Sequence, residues 1–162
     1  MPGDPVSVDE LAALLIDAVS GGASVGFLDP LDSARARRYW NEVLAELGLA
    51  HGLWVAETEG RVVGSAQLSL STRENGRHRA EVQKLFVLRS HRGRGIATRL
   101  MAALEAAARR DGRTLLVLDT EAGSAAEAFY ARHGWQRVGE IPDYAADPAG
   151  ALHPTALYYK RL

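Results

Sequence analysis

Arg92-Gly93-Arg94-Gly95-Ile96-Ala97-Thr98 is the stretch on which the reading of this chain turns. It follows an apolar, strand-like run, Glu81-Val82-Gln83-Lys84-Leu85-Phe86-Val87-Leu88, and opens a segment with helical patterning. A glycine-rich turn at a strand-to-helix junction aligns unpaired backbone N–H groups with the positive end of the helix dipole. Such a turn receives a pyrophosphate without any dedicated side chain. It is not a P-loop, because Gly95-Ile96-Ala97 does not supply Gly-Lys-Ser/Thr. As a dinucleotide fingerprint it lacks the third glycine, although Asp119 stands about 20 residues further on, where an acidic residue belongs.

The 162 residues suffice for a single domain, 1–162, with a full core, and are too few for two. An apolar fraction of 47% and a charged fraction of 24% are ordinary for a soluble globular protein. The chain has no cysteine, which excludes disulfides, thiolate metal sites and a cysteine nucleophile, and fits a cytoplasmic protein. No apolar run reaches membrane-spanning length, and Met1-Pro2-Gly3-Asp4-Pro5 does not read as a signal peptide. No membrane partner is expected.

The net charge of −1 hides an asymmetry. Residues 73–113 carry eleven Lys and Arg against Glu74, Glu81, Glu105 and Asp111, a local balance of +7. A basic segment centred on the glycine turn suits a ligand with several phosphates. Arg109, Arg110 and Arg113 read as a solvated helix face, whereas Arg89, Arg92, Arg94 and Arg99 lie near the turn. A nucleic-acid binder would be basic overall, so no nucleic acid is expected.

Ser7-Val8-Asp9-Glu10 is a capping box, followed by Leu11, Leu14, Leu15 and Val19 on one helical face. Ser20 to Phe27, rich in glycine, ends that helix. A second helix is expected over Asp32 to Leu47, with Ala36, Trp40, Val43, Leu44 and Leu47 in register. Leu53 to Thr58 and Arg61 to Leu70 read as a hairpin about Glu59-Gly60. The central strand runs from Ala80 to Leu88. Ile96, Leu100, Leu104 and Ala108 stripe a helix over 94–110, and Leu115-Leu116-Val117-Leu118 has the continuous apolar pattern of a covered parallel strand. A short helix carries Ala125, Ala126, Phe129 and Tyr130, and closing strands are expected over Trp135 to Ile141 and Ala156 to Lys160. The centre is thus one β-α-β unit with a right-handed crossover, which gathers the glycine turn and Asp119-Thr120-Glu121 around one mouth. The fold class is α/β with a mixed sheet.

Arg92, Gly95 and Ala97 match Arg/Gln-x-x-Gly-x-Gly/Ala, and Ala126-x-x-Phe129-Tyr130-x-x-x-Gly134-Trp135 matches a second motif in the right order. In these two motifs the chain resembles the GCN5-related N-acetyltransferases (GNAT). Four further blocks resemble the tabtoxin resistance branch of that family: Gly21 to Phe27, Ala80 to Leu85, Leu118 to Ser124 and Leu152 to Ala156. The resemblance implies the GNAT fold, with a splayed parallel strand pair at about 80–88 and 114–119. It implies acetyl-CoA as co-substrate, bound along Leu85, Phe86 and Val87 and by Arg92, Gly93, Arg94, Gly95, Ile96, Ala97 and Thr98. It also implies a small amine acceptor, such as an amino-acid-like β-lactam toxin. Protein, peptide or polyamine amines, and a non-catalytic CoA-binding module, are the alternatives. Two departures stand out. Met1 to Ser7 shows no pattern for the family's first strand, and Gly123 takes the place of an asparagine, with Ser124 as its substitute at the cofactor.

Acetyl transfer needs a neutral amine, a polarised thioester carbonyl and a protonated leaving thiolate. An alkyl ammonium, with a pKa of about 10.4, needs a base, and an α-ammonium near 8 benefits from one. Asp119 and Glu81 are the candidate bases. Asp119 could instead cap the next helix, and Glu81 could pair with Arg79 or Lys84. Tyr130 is expected to protonate the thiolate, a role the resemblance implies; a core tyrosine is the plain alternative. Gly26, Phe27, Glu121 and His153 are candidate acceptor-binding residues, with Trp54, Gln67 and Tyr144 behind them. His153 could also be a simple turn residue. No metal is expected. The oligomeric state is left between monomer and homodimer.

Overall fold

A computed structural model describes residues 6–162, so the reading of Met1 to Pro5 lies outside the described residues. Ser7 accepts from the N–H of Glu10 and starts helix α1 (Val8–Ser20); Asp32 accepts from Arg35 N–H at 2.8 Å and starts helix α2 (Ser33–Glu46). These caps satisfy donors that a helix start leaves unpaired. No strand precedes α1 among the described residues. Strands β1 (His51–Thr58), β2 (Arg61–Leu70) and β3 (Arg79–Val87) lead into helix α3 (Ile96–Arg110) and strand β4 (Leu115–Glu121). Helix α4 (Ala125–Arg132) and strands β5 (Gln136–Ala146) and β6 (Leu152–Arg161) complete the chain. Leu47, expected on the buried face of α2, falls just past its end and is exposed.

One sheet, ordered β1-β2-β3-β4-β6-β5, runs through the molecule, and β3–β4 is its parallel pair. The final hairpin is longer than expected. The loop implied between Ile141 and Ala156 is mostly strand, because Ala145 pairs with His153 and Ala146 with Leu152 across an irregularity between Ile141 and Ala145. Pro142 and Asp143 lie in a bulge within the strand (Asp143 φ 51°) rather than ending it.

Each face of the sheet has its own core. Val63, Ala66, Leu68, Ala80, Val82, Leu116 and Leu118 meet Leu100, Met101 and Leu104 of α3 on one side. On the other, Val62 and Phe86 meet Leu11, Leu14, Leu15 and Trp40 of α1 and α2. Helix α1 lies over β2 and β3. The same face of β4 and β6 borders a cleft instead. No helix among the described residues is long and apolar enough to cross a membrane.

Candidate active site

Three rungs join β3 to β4, and past Glu81↔Val117 the strands part. β4 continues against β6, and β3 continues against β2. Along Leu85, Phe86 and Val87 the edge facing β4 therefore has no strand partner. An extended amide-bearing chain laid there would bond as an added strand does. A bulge helps to open the gap: Gln67 faces Gln83 but Ser65 faces Phe86, so β3 carries an extra residue, and Lys84 sits at φ 51°.

Beyond β3, Arg92 donates its Nε–H to Val87 O at 3.3 Å. Gly93 and Gly95 have φ of 74° and 71°, where a side chain costs about 1–2 kcal/mol. A Cβ on Gly93 would touch nothing within 4 Å, so backbone conformation and not space reserves the position for glycine. Gly95 caps α3 and its carbonyl accepts from Arg99 N–H, which leaves Ile96, Ala97 and Thr98 as first-turn donors. These are the groups that suit a pyrophosphate. Arg94 and Arg99 bond to the main-chain carbonyls of Ser90 and Arg94, and Thr98 Oγ1 lies 3.0 Å from His133 Nε2.

Alternation along the strands places Glu81, Gln83, Val117 and Asp119 on the face away from α3. Glu81 and Asp119 line a cleft of about 360 Å³ whose walls include Val117, Val138, Leu157 and Tyr159. Glu81 accepts from Gln83 Nε2 at 3.0 Å and forms no ion pair with Arg79 or Lys84 among the described residues. Asp119 is exposed, with the hydroxyl of buried Thr155 at 3.4 Å from its Oδ2. It does not cap α4. Ser124 does, accepting from Glu127 N–H and donating to Glu121 O at 2.7 Å. The one proton of the Ser124 hydroxyl is thereby engaged, leaving only a lone pair for a cofactor.

Tyr130 is buried among Phe129, Trp135 and Tyr158, with ring centroids 5.5, 5.8 and 6.5 Å away. Burial pushes its hydroxyl well above the usual tyrosine range, and the nearby charge of Asp119 pushes it further. The phenol therefore keeps its proton at neutral pH, in the field of the candidate base.

The loop from Gly21 to Phe27 is fastened on two sides. Asp29 N–H bonds to Pro148 O at 2.9 Å, Ser24 Oγ to Ala146 O at 3.4 Å, and Lys84 Nζ to Val25 O at 2.6 Å. Gly26 (φ 94°) lies so close that a Cβ would stand 3.3 Å from Lys84 Nζ, and Phe27 packs edge-on against Tyr39. His153 and Glu121 meet: Nδ1 of His153 lies 3.9 Å from Glu121 Oε1, and Nε2 lies 2.9 Å from Asp147 Oδ2. The His153 bond holds the Asp147 carboxyl below its usual range.

Two candidates read from sequence fall elsewhere. Gln67 is buried and bridges Tyr39 and His51, while Trp54 packs into the core on the α3 side. Two residues were missed. Lys84 entered the sequence reading only as an ion-pair partner for Glu81, and no local pattern marks its bulge. Thr155 alternates with Leu157 and Tyr159, a signal that the loop expected over that stretch concealed.

The profile of the acetyltransferase (GNAT) family matches residues 18–135. An uncharacterised N-acetyltransferase of Azospirillum brasilense is 36% identical over 105 residues, 64% of this chain and 61% of its own length. The chain spans about half the length of the curated relatives it matches. Among solved structures, the ribosomal-protein-alanine N-acetyltransferase of Brucella melitensis has a TM-score of 0.78 at 25% identity, with 98% of both chains covered. An aminoglycoside 6'-N-acetyltransferase complexed with coenzyme A shares the fold, with a TM-score of 0.75 at 20% identity over 98% of this chain and 92% of that one. The matched stretch contains the splayed strands, the glycine turn and Tyr130, and on that footing the chain belongs to the acetyltransferase (GNAT) family.

Proposed function

We propose that the chain is an acetyl-CoA-dependent N-acetyltransferase for the amino group of a small, amino-acid-like molecule. The observation that carries this reading is the unpaired edge of β3 facing β4, with free helix N–H groups beyond it, Asp119 on β4 across the gap, and the buried Tyr130 close enough to feel the charge of Asp119. Acetyl-CoA, when bound, supplies the thioester. The N–H groups of Ile96, Ala97 and Thr98 would hold its pyrophosphate, with Arg92, Gly93, Arg94 and Gly95 shaping the turn. The main chain of Leu85, Phe86 and Val87 would hold the pantetheine and polarise the thioester carbonyl.

Asp119, with Glu81 as rival, takes the proton from the acceptor ammonium. The amine nitrogen bonds to the acetyl carbon, the carbon–sulfur bond breaks as Tyr130 gives its proton to the departing sulfur, and the second proton that the nitrogen loses on becoming an amide restores the phenol. Transfer is direct, since there is no cysteine to carry the acetyl group.

Gly26, Phe27, Glu121 and His153 would frame the acceptor. The fastened loop favours a small molecule over a long peptide, and the blocks that resemble the tabtoxin resistance branch favour a β-lactam amino acid such as tabtoxinine-β-lactam. A protein or peptide amine is the second reading, favoured by the likeness to the Brucella melitensis structure. The test is to incubate the protein with acetyl-CoA and a panel of tabtoxinine-β-lactam, free amino acids, polyamines and N-terminal or lysine peptides, with products read by mass spectrometry. Acetylated amino acids or β-lactam are expected. Products confined to peptides would move the substrate, and acetyl-CoA binding without any product would replace the enzyme with a binding module.

A further inference from the structure

We infer that Lys84 is the anchor for a carboxylate on the acceptor, so that the site selects a zwitterion over a plain amine. This rests on the small-acceptor reading above and narrows its substrate class. Ala80 and Val82 point into the α3 core, and Glu81 and Gln83 point to the other face. Unbroken alternation would send Lys84 into the apolar core. At φ 51° the extra residue of β3 turns Lys84 back to the face that Gln83 already occupies, and Leu85 resumes the core position. A bulge that re-aims one side chain, in a backbone region that a lysine rarely adopts, is a feature to be expected beside a functional site.

The turned side chain is only partly open to water. It is half-buried beneath the glycine loop, where Nζ donates to Val25 O at 2.6 Å. An ammonium has three donors, and this bond uses one. Gly26 leaves room beside it that a side chain would crowd, since a Cβ would stand 3.3 Å from Nζ. No carboxylate among the described residues lies within ion-pair distance of Lys84, although Asp119 and Glu81 are near enough to offset part of the downward pull of burial on its pKa. The site therefore offers anionic groups for an ammonium and one under-used cation for an anion. A free amino acid carries both complements. A polyamine carries only positive charge and would be opposed by Lys84.

The test compares each free L-amino acid that the wild type acetylates with its decarboxylated amine, at saturating acetyl-CoA, in the wild type, Lys84→Met and Lys84→Arg. The wild type should prefer the amino acid. Lys84→Met should cut that preference, as a ratio of kcat/KM, by roughly ten- to a hundredfold, mainly through the KM of the amino acid. Lys84→Arg, which keeps charge and donors, should retain most of it. Equal losses of kcat/KM for both substrates in Lys84→Met would make Lys84 a latch for the loop and overturn the anchor while leaving the acetyltransferase reading intact. A wild type that acetylates the amine as well as the amino acid would do the same, and needs no variant to fold. A wild type that acetylates no small amine would overturn both.

Discussion

Tyr130 has two places in the molecule, a ring packed in the core and a hydroxyl that the same burial keeps protonated. Removing that hydroxyl while keeping the ring separates them. Tyr130→Phe should lower kcat by about 10²–10⁴-fold, the range for a lost general acid, with little change in acetyl-CoA affinity. Steady-state kinetics and calorimetry check the pair of values, and equal losses would reduce Tyr130 to packing. At this scale the sequence was legible for position where a motif set it, as for Tyr130, or where a carboxylate followed an apolar run, as for Asp119, although β4 continues past Asp119 to Glu121. It was not legible at Lys84, because alternation assigns that residue to the wrong face and only the register between β2 and β3 shows the bulge. Nor was it at Ser124, whose hydroxyl completes a cap that the sequence reading had offered to Asp119.

Two elements carry the proposed binding geometry, and each can be tested without touching the chemistry. At the start of α3, Gly95 holds φ 71° while its carbonyl begins the helix. Gly95→Ala should cost about 1–2 kcal/mol of backbone strain and turn the first N–H groups away from the phosphate path. Calorimetry should show acetyl-CoA binding weakened by tenfold or more, on the order of one charge-assisted bond. At the start of α4, Ser124→Ala should lower stability by about 1 kcal/mol through the lost cap, and leave acetyl-CoA affinity unchanged if capping is all that the hydroxyl does. Chemical denaturation and the same calorimetry decide. Helices and the β-α-β centre were readable because apolar period and capping are local signals. The splay of β3 from β4 was implied only by resemblance, since the loss of a main-chain partner leaves no mark on side-chain identity.

Across the whole molecule, the sheet is covered unequally. Helices α1 and α2 seal β2 and β3, and Trp40, fully buried between them and Phe86, is the largest side chain in that seal. Trp40→Ala should cost about 3–5 kcal/mol, seen as a fall in the denaturation midpoint, because a cavity of that size cannot collapse. The part of the same face over β4 and β6 is left to the cleft that holds Glu81 and Asp119. The position of β6 between β4 and β5 was beyond the sequence, because an antiparallel strand inserted from the end of the chain is chosen by tertiary pairing and not by local pattern.

The proposed reaction is direct acetyl transfer to a small amine bound in this cleft, and it can be followed by intact-mass spectrometry of protein and acceptor during a single turnover. An acetylated free amino acid or β-lactam amino acid is expected, with a protein of unchanged mass at every time point. An acetylated protein that forms and decays at the rate of product formation, or an acceptor left unmodified while acetyl-CoA stays bound, would contradict it.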